Sequence, residues 1–260
     1  MFGFFKRKRK ELRVTAACGC NIGRVRSNNE DNLCFDGIVL PPENRGLDDI
    51  LYFFRVTDGP VHFGVFDGMG GEAYGELAAL LAATEVRDLP KSADVKELVA
   101  ALHRANEKIC AAARERDCGL IGTTAAVLTV DSGDVYITNI GDSKVYRFRN
   151  GVIEQLSTDH TDRGVIDQHG IKGRKPRLTQ HLGIESAEMV IEPAVRQETA
   201  FVGDRYVICS DGLSDMVTEE ELATILSANG SLDECVNKFI SEALKNGGKD
   251  NVTVIAVAID

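Results

Sequence analysis

Apolar residues recur at two different spacings in this sequence, and the spacing changes from segment to segment. Short runs rich in Val, Ile, Phe and Tyr, separated by turn residues, are typical of β-strands. They predict strands over residues 14–20, 33–39, 51–56, 61–66, 124–130, 135–140, 144–149, 206–209 and 252–259. Apolar residues three and four positions apart predict helices over residues 71–86, 95–113, 219–227 and 232–245.

The order of these elements indicates antiparallel sheets. Turn residues within segment 130–136 and the pair Asn150-Gly151 join consecutive strands, and Asn-Gly supplies the positive φ that a tight hairpin turn needs. The helices occur in pairs rather than one per strand, which argues against a doubly wound parallel sheet. We therefore predict an α+β fold, a four-layer sandwich in which helix pairs flank two central antiparallel sheets.

Composition limits the size and the class of the protein. The chain has 260 residues, 43% of them hydrophobic, and can bury a sizeable core. No linker, repeat or low-complexity segment divides it, so we expect one domain over residues 13–260 after a basic tail over residues 1–12. The net charge of −10 argues against general nucleic-acid binding. Since no apolar run of membrane-spanning length and no signal peptide is present, we expect a cytoplasmic protein.

The N-terminal segment and the cysteines each have a functional and a structural interpretation. The segment MFGFFKRKRK combines three Phe with five consecutive basic residues. We interpret it as a disordered tail that aids solubility, with weak contact to an anionic membrane surface as the alternative. The seven cysteines form no C-x-x-C pair and no zinc-site spacing with His, so we interpret them as reduced, mostly buried thiols.

A set of acidic residues lies at the ends of predicted strands. Three of these acids follow a strand and the others precede one: Asp67, Asp142 and Asp211, then Glu30-Asp31 and Asp250. Because a strand in an antiparallel sheet ends beside the start of its neighbour, these carboxylates can gather along one edge. Ionised carboxylates at close range repel one another, and a divalent cation relieves this repulsion. Mg²⁺ or Mn²⁺ prefers oxygen ligands, whereas zinc sites usually include His or Cys.

Each acid also has a structural interpretation. Asp-Gly after a strand is a common turn, and Asp often caps a helix. We expect the glycines after Asp67, in VFDGMGG, to form a tight turn from strand to helix. The repeated placement of acids at strand ends nevertheless favours a metal site. The sequence contains no phosphate-binding loop, no nucleophile elbow and no H-E-x-x-H pair, and we interpret His160 as ordering a loop, with catalysis as the alternative.

Six motifs span almost the whole chain from residue 13 onward. They are GRVRSNNEDN (23–32), VFDGMGG (65–71), IGTT (121–124), NIGDSKVY (139–146), GDRYVICSDGLSD (203–215) and KDNVTVIAV (249–257). In this order they resemble the motifs of the metal-dependent serine/threonine protein phosphatases of type 2C, in their bacterial version. Each motif alone is weak, but the ordered set is specific. The family's fold, two central antiparallel sheets with helices on both outer faces, agrees with the predicted elements.

The resemblance implies two Mn²⁺ or Mg²⁺ ions and assigns their ligands. Asp67 would bridge both ions, and Gly68 would give its carbonyl oxygen to one of them. Asp211 and Asp250 would hold one ion, and Glu30 would ligate the other.

The resemblance also assigns roles around these ions. Asp31 would hydrogen-bond to metal-bound water, and Asp142 with Asp211 matches the position of a third, weaker metal ion. Arg26 matches the arginine that binds the substrate phosphate, where a bidentate permanent cation suits a phosphate dianion. The alternative for Arg26 is a surface salt bridge with Glu30.

The sequence departs from the family pattern at several positions. Met69 stands where many relatives have His, so the proton donor to the leaving group stays open. Lys144 stands where Arg is usual, and we expect only a structural effect. The family's mobile flap corresponds to residues 161–181, whose basic residues either select acidic or phosphorylated partners or are only solvated. These residues are Lys172, Arg174, Lys175 and Arg177.

The implied activity is hydrolysis of phosphoserine and phosphothreonine in proteins by a metal-activated water, without a phospho-enzyme intermediate. The implied setting is bacterial signalling opposite a Ser/Thr kinase, with phosphorylated proteins as partners. The alternatives are a catalytically silent relative that binds phosphoproteins and a metal-dependent hydrolase of small phosphoesters. Retention of every metal position argues against the silent relative.

Overall fold

The computed structural model describes residues 12–57, 59–70, 74–171, 173–228 and 230–260. This part of the chain forms two antiparallel sheets of six strands each, flanked by helices. The strands are β1 (Leu12–Asn21), β2 (Asp31–Phe35), β3 (Leu51–Thr57), β4 (Val61–Gly70), β5 (Ile121–Thr123), β6 (Ala125–Asp131), β7 (Asp134–Ile140), β8 (Lys144–Arg149), β9 (Val152–Gln155), β10 (Ala194–Thr199), β11 (Arg205–Cys209) and β12 (Val252–Ile259). The helices are α1 (Gly75–Arg87), α2 (Val95–Glu115), α3 (Arg163–Gln168), α4 (Asp211–Ser214), α5 (Glu219–Ser227) and α6 (Leu232–Lys245).

The strand order reflects the hairpins that the sequence predicts. The first sheet has the order β3-β1-β12-β11-β8-β9, and the second has β10-β7-β6-β4-β2 with β5 paired to β4. Asn150 and Gly151 have φ of 53° and 81°, and they form the predicted turn between β8 and β9. The continuous apolar run of β12 is buried at every position because β12 lies inside the first sheet, with β1 and β11 on either side.

The hydrophobic side chains of the described residues form three clusters between four layers. One cluster lies between the two sheets and includes Phe35 and Phe63. A second packs α1 and α2 onto the second sheet through residues such as Leu98, and a third packs α5 and α6 onto the first sheet through Leu222 and Phe239. The predicted α+β sandwich with two antiparallel sheets is therefore confirmed.

Several elements differ from the predicted ones for local reasons. β2 ends at Phe35, earlier than predicted, because Asp36 and Gly37 have positive φ and turn the chain. The sequence pattern does not predict β5, β10, α3 or α4, and of β9 it predicts only the hairpin turn that precedes it. These elements have six residues or fewer, and β9 and β10 are edge strands without a fully buried face.

The segment after Phe66 continues as a strand, so the expected tight turn is wrong. β4 runs through Asp67 to Gly70, and Gly68 lies opposite Thr123 of β5. The glycines therefore serve a second strand pairing that the sequence does not reveal. Helix α1 as described begins at Gly75, and residues 71–73 of the predicted helix lie outside the described residues.

Some observations bear on the tail and the thiols. Leu12, the last residue of the predicted tail, is buried and begins β1, whereas residues 1–11 lie outside the described residues. Among the helices described, none is long and apolar enough to cross a membrane. All seven cysteines are free, and six of them are buried.

Candidate metal centre

The strand registers bring the predicted acids to one end of the sandwich. In the second sheet, Asp31 at the start of β2 lies directly opposite Asp67 in β4. In the first sheet, Cys209 at the end of β11 lies opposite Val254 near the start of β12. The acids that follow β11 and precede β12 therefore lie at the same end, as the sequence predicts.

Asp67 is held by the threonines of the IGTT motif. The Asp67 N–H donates to Thr124 Oγ1 (3.0 Å), and the Thr124 N–H donates to the Asp67 carbonyl oxygen (2.9 Å). The Thr123 hydroxyl also donates to that carbonyl oxygen (3.0 Å). Thr124 Oγ1 lies 2.6 Å from Ser143 Oγ, so the same threonine links Asp67 to the loop that carries Asp142.

A buried serine joins the two sheets at the site. The Ser210 hydroxyl donates to Asp31 Oδ2 (2.7 Å), and the Thr253 N–H donates to Ser210 Oγ (3.0 Å). Ser210 directly precedes Asp211, the first residue of α4. Ser210 thereby links the Asp31 carboxylate in the second sheet to β12 in the first sheet, at the residue that directly precedes Asp211.

Asn251 fixes the loop that carries two of the predicted site residues. Its Nδ2 donates to the carbonyl oxygens of Ile22 and Asn28 (both 2.9 Å), and its Oδ1 accepts from the Glu30 N–H (2.9 Å). Asn251 is 4% exposed, so these bonds are shielded from water. The loop with Arg26 and Glu30 is therefore pinned to the start of β12.

The sequence does not identify the residues that hold the acids in place. Thr124, Ser143, Ser210, Asn251 and Thr253 all lie inside the six motifs. Their position next to the acids in these motifs is the one sequence feature that could have identified them. The hydrogen-bond partner of a hydroxyl or an amide, however, is known only from the folded chain.

The carboxylates at this end interact through space. Burial raises the pKa of Asp67 well above its usual value, and Asp211, Asp31, Asp142 and Asp250 each raise it further. Burial also raises the pKa of Asp31, although hydrogen bonds from the Thr253 and Ser210 hydroxyls oppose this shift. Like charges in one region repel one another, and a divalent cation bound among these acids would relieve that repulsion.

Two side-chain cations already neutralise part of this charge. One guanidinium nitrogen of Arg26 lies 2.7 Å from Asp250 Oδ2, so Arg26 pairs with Asp250 rather than with Glu30. Lys175 Nζ lies 2.7 Å from Asp211 Oδ2 and 2.8 Å from Asp215 Oδ2.

The donor set fits hard divalent ions by its chemistry. It consists of carboxylate oxygens with no His or Cys, the preference of Mg²⁺ and Mn²⁺. In the described ranges, no three His, Cys, Asp or Glu side chains are gathered closely enough to enclose an ion. Asp211 and Asp250 face Lys175 and Arg26 in this structure. An ion held by either carboxylate would therefore have to use the oxygen that does not face the side-chain cation, or displace that cation.

His160, Lys144 and the described basic residues of the predicted flap make contacts that order loops or neutralise acids. The Gly141 N–H donates to His160 Nδ1 (3.1 Å), and the His160 N–H donates to the Gly141 carbonyl oxygen (3.0 Å), so His160 orders the loop before Asp142. Lys144 Nζ pairs with Asp159 Oδ2 (2.6 Å). In the predicted flap, Arg174 pairs with Asp162, and Lys172 lies outside the described residues.

We expect Mn²⁺ binding to release more protons at about pH 6 than at about pH 8. Carboxylates with a raised pKa, such as Asp31 and Asp67, keep protons at the lower pH and must lose them to bind a cation. Apparent Mn²⁺ affinity therefore rises with pH over this range. Calorimetric titration in two buffers of different ionisation enthalpy measures the released protons. Equal release at both pH values, or no reduction in Asp31→Asn, would contradict this account.

Comparison with known proteins decides the family. A protein-family model described as Protein phosphatase 2C matches residues 24–163. The chain belongs to this family. It is 32% identical to the serine/threonine phosphatase stp of Listeria monocytogenes over 255 residues, covering 92% of this chain and 93% of that protein. The predicted family and the predicted enzyme class, protein serine/threonine phosphatase, are confirmed.

Solved structures of similar phosphatases agree with the fold. The Mycobacterium tuberculosis phosphatase PstP/Ppp matches with a TM-score of 0.78 and 28% identity, covering 96% of this chain and all of that chain. The PstP catalytic domain in complex with two manganese ions matches with a TM-score of 0.75 and 29% identity, covering 95% of this phosphatase and 99% of that chain.

Proposed function

We propose that the carboxylates at this end of the sandwich hold two divalent ions, Mn²⁺ or Mg²⁺, with which the chain dephosphorylates serine and threonine in proteins. The observation that carries the proposal is that carboxylates from both sheets, with no His or Cys among them, lie around Asp67. The assigned ligands are Glu30, Asp67, Asp211, Asp250 and the carbonyl oxygen of Gly68. The two manganese ions of the similar PstP domain support a two-ion centre.

Each group in this assignment has a physical role. Two bound ions would lower the pKa of a water and stabilise the charge that develops during in-line displacement at phosphorus. We assign Asp31, which accepts a hydrogen bond from the Ser210 hydroxyl and pairs with Asp67 across the sheet, the role of accepting a proton or a hydrogen bond from a water beside Asp67. The assignment of Asp142 to a third ion rests on the sequence motif.

Arg26 is proposed to bind the substrate phosphate. Its side chain is 48% exposed at the rim of the acidic cluster, and its guanidinium reaches Asp250. A phosphate dianion beside several carboxylates needs a cation of its own, and guanidinium binds phosphate oxygens in a bidentate way.

Turnover of a phosphothreonine peptide with added Mn²⁺ tests the activity and the role of Arg26 together. We expect hydrolysis by the wild-type chain and a roughly 10- to 100-fold lower kcat/KM in Arg26→Ala, since hydrogen bonds to charged groups contribute about 1.5–3 kcal/mol. Arg26→Lys should fall between the two because Lys keeps the charge but not the bidentate geometry. Arg24→Ala removes a neighbouring exposed cation and should resemble the wild type.

The outcomes separate the competing functions. Mn²⁺ binding without any turnover would indicate a silent phosphoprotein-binding relative. Turnover of a small aryl phosphate with none of a phosphopeptide panel would indicate a hydrolase of small phosphoesters.

The cellular setting is also a proposal. We propose that the phosphatase acts in the cytoplasm opposite a Ser/Thr kinase, since stp of Listeria monocytogenes and PstP of Mycobacterium tuberculosis, to which the chain is similar, are bacterial serine/threonine phosphatases. The five consecutive basic residues of the N-terminal segment support weak contact with an anionic membrane surface.

A further inference from the structure

The flap contributes a cation to the acidic cluster. Lys175 Nζ bridges Asp211 Oδ2 and Asp215 Oδ2 at 2.7 and 2.8 Å. Asp211 begins the short helix α4, and the Asp215 N–H donates to the Asp211 carbonyl oxygen one turn later. The two carboxylates therefore lie on one side of a helical turn, and a single ammonium contacts both.

The backbone around Lys175 is tied down on either side. The Asp162 N–H donates to the Arg177 carbonyl oxygen (3.0 Å), and the Arg177 N–H donates to Asp162 Oδ1 (2.8 Å). The side chain of Arg174 also pairs with Asp162. Since Pro176 restricts the backbone next to Lys175, this lysine is presented to α4 by a braced segment rather than by a free loop.

The ammonium lies in the cavity that also contains Asp142. A cavity of about 60 Å³ is lined by Asp142, Asp211, Asp215 and Lys175, among others. Lys144 also lines the cavity, but its Nζ is paired with Asp159 (2.6 Å). Asp142 and Asp211 are the pair to which the sequence motifs assign a third, weaker metal ion. Lys175 thus places a positive charge where that ion would bind.

We propose that Lys175 takes the place of a third metal ion in this phosphatase. Its ammonium occupies Asp211 Oδ2 and leaves the other oxygen of that carboxylate for an ion of the catalytic pair. A divalent ion between Asp142 and Asp211 would have to displace the ammonium from Asp211 Oδ2. The ion and the nearby ammonium would then repel each other. The inference rests on the proposed two-ion centre. It implies that the Lys175 ammonium, which belongs to the flap, neutralises part of the negative charge of the acids at that centre.

Metal stoichiometry tests this inference without relying on activity. Mn²⁺ is titrated by calorimetry into wild type, Lys175→Met, Lys175→Arg and Arg177→Met, and bound metal is counted by mass spectrometry. We expect two ions per wild-type chain. In Lys175→Met a third ion should bind at least ~10-fold more tightly than any third ion in wild type, because a charged hydrogen-bonded competitor has been removed.

One further variant locates the additional ion, and two variants serve as comparisons. Adding Asp142→Asn to Lys175→Met should abolish the third site and keep the first two, because Asp142 lines the cavity. Lys175→Arg should keep the wild-type count because it preserves the charge. Arg177→Met, which removes an exposed flap cation whose side chain makes no ion pair with any described residue, is the matched control.

The results that overturn this inference differ from those that overturn the phosphatase mechanism. Three ions on wild type, or an unchanged count and affinity in Lys175→Met, would show that Lys175 does not exclude a metal. No Mn²⁺ bound to any variant would instead contradict the proposed metal centre. Thermal unfolding of each variant checks that the counts come from folded protein.

Discussion

Asp67→Asn should abolish most of the activity and weaken Mn²⁺ binding. Asn has nearly the same shape but lacks the charge that holds the two proposed ions. We expect kcat on a phosphothreonine peptide to fall by at least about 10³-fold, a loss of roughly 4 kcal/mol of transition-state stabilisation. Steady-state kinetics at saturating Mn²⁺ and calorimetric Mn²⁺ titration measure the two effects.

The same substitution should stabilise the metal-free protein. Burial and four neighbouring acids raise the pKa of Asp67 in the folded state, so the ionised carboxylate destabilises the fold. This penalty is complete above the raised folded-state pKa and vanishes as the pH falls below the usual pKa of an Asp. At neutral pH we expect Tm of metal-free Asp67→Asn to rise by at least about 2 °C, the shift that roughly 1 kcal/mol produces in a chain of this size.

The opposite signs of these effects distinguish a functional residue from a structural one. An acid that only caps a turn would lower stability when replaced, and activity would fall with it. Asp36→Asn, in an exposed residue paired with Arg55, is the control and should leave both kinetics and metal affinity unchanged. A drop in Tm of metal-free Asp67→Asn would show that repulsion among the acids does not govern this site.

Residue patterns predict most of the sandwich because burial controls its long elements. The apolar run of β12 and the helical spacing of α2 and α6 reflect faces that pack against other layers. An edge strand such as β10 is held by its backbone pairing with β7. Because β10 is partly exposed, its sequence has no clear hydrophobic pattern that would predict this pairing. Local propensity therefore predicts the layers better than it predicts their edges.

The acids could be predicted for a similar reason, whereas their partners could not. A carboxylate at the end of a strand is visible in the sequence, and antiparallel pairing places several such ends together. The contacts of Lys175 with Asp211 and Asp215 depend on how residues 161–178 fold back, which no local pattern shows. From the sequence alone, the basic residues of the flap could either select partners or only be solvated. The structure shows a third possibility, since Arg174 and Lys175 form ion pairs within the chain.

Gly68→Ala should impair both folding and metal binding, although it leaves the proposed carbonyl ligand chemically unchanged. A Cβ at Gly68 would overlap the Gly75 carbonyl oxygen and lie 2.5 Å from the Glu30 carbonyl oxygen. The Gly68 N–H donates to that Glu30 oxygen (3.1 Å), so β4, α1 and the Glu30 loop all meet at this glycine. Because the obstructing atoms are backbone, we expect a loss of at least about 3 kcal/mol in the free energy of unfolding.

Gly164→Ala is the matched control for this steric argument. A Cβ at Gly164, in the short helix α3, meets no atom within 4 Å, and Ala there should be neutral or stabilising by up to about 1 kcal/mol. Urea unfolding measures the stability of both variants, and Mn²⁺ titration at low temperature measures the site in whatever fraction of Gly68→Ala folds. If Gly68→Ala folded with wild-type stability and bound Mn²⁺ normally, the close approach of β4, α1 and the Glu30 loop would not be required. The expected loss of Mn²⁺ affinity in the folded fraction would show that the glycine sets the distance between Glu30 and Asp67, the two acids proposed to hold the same ion.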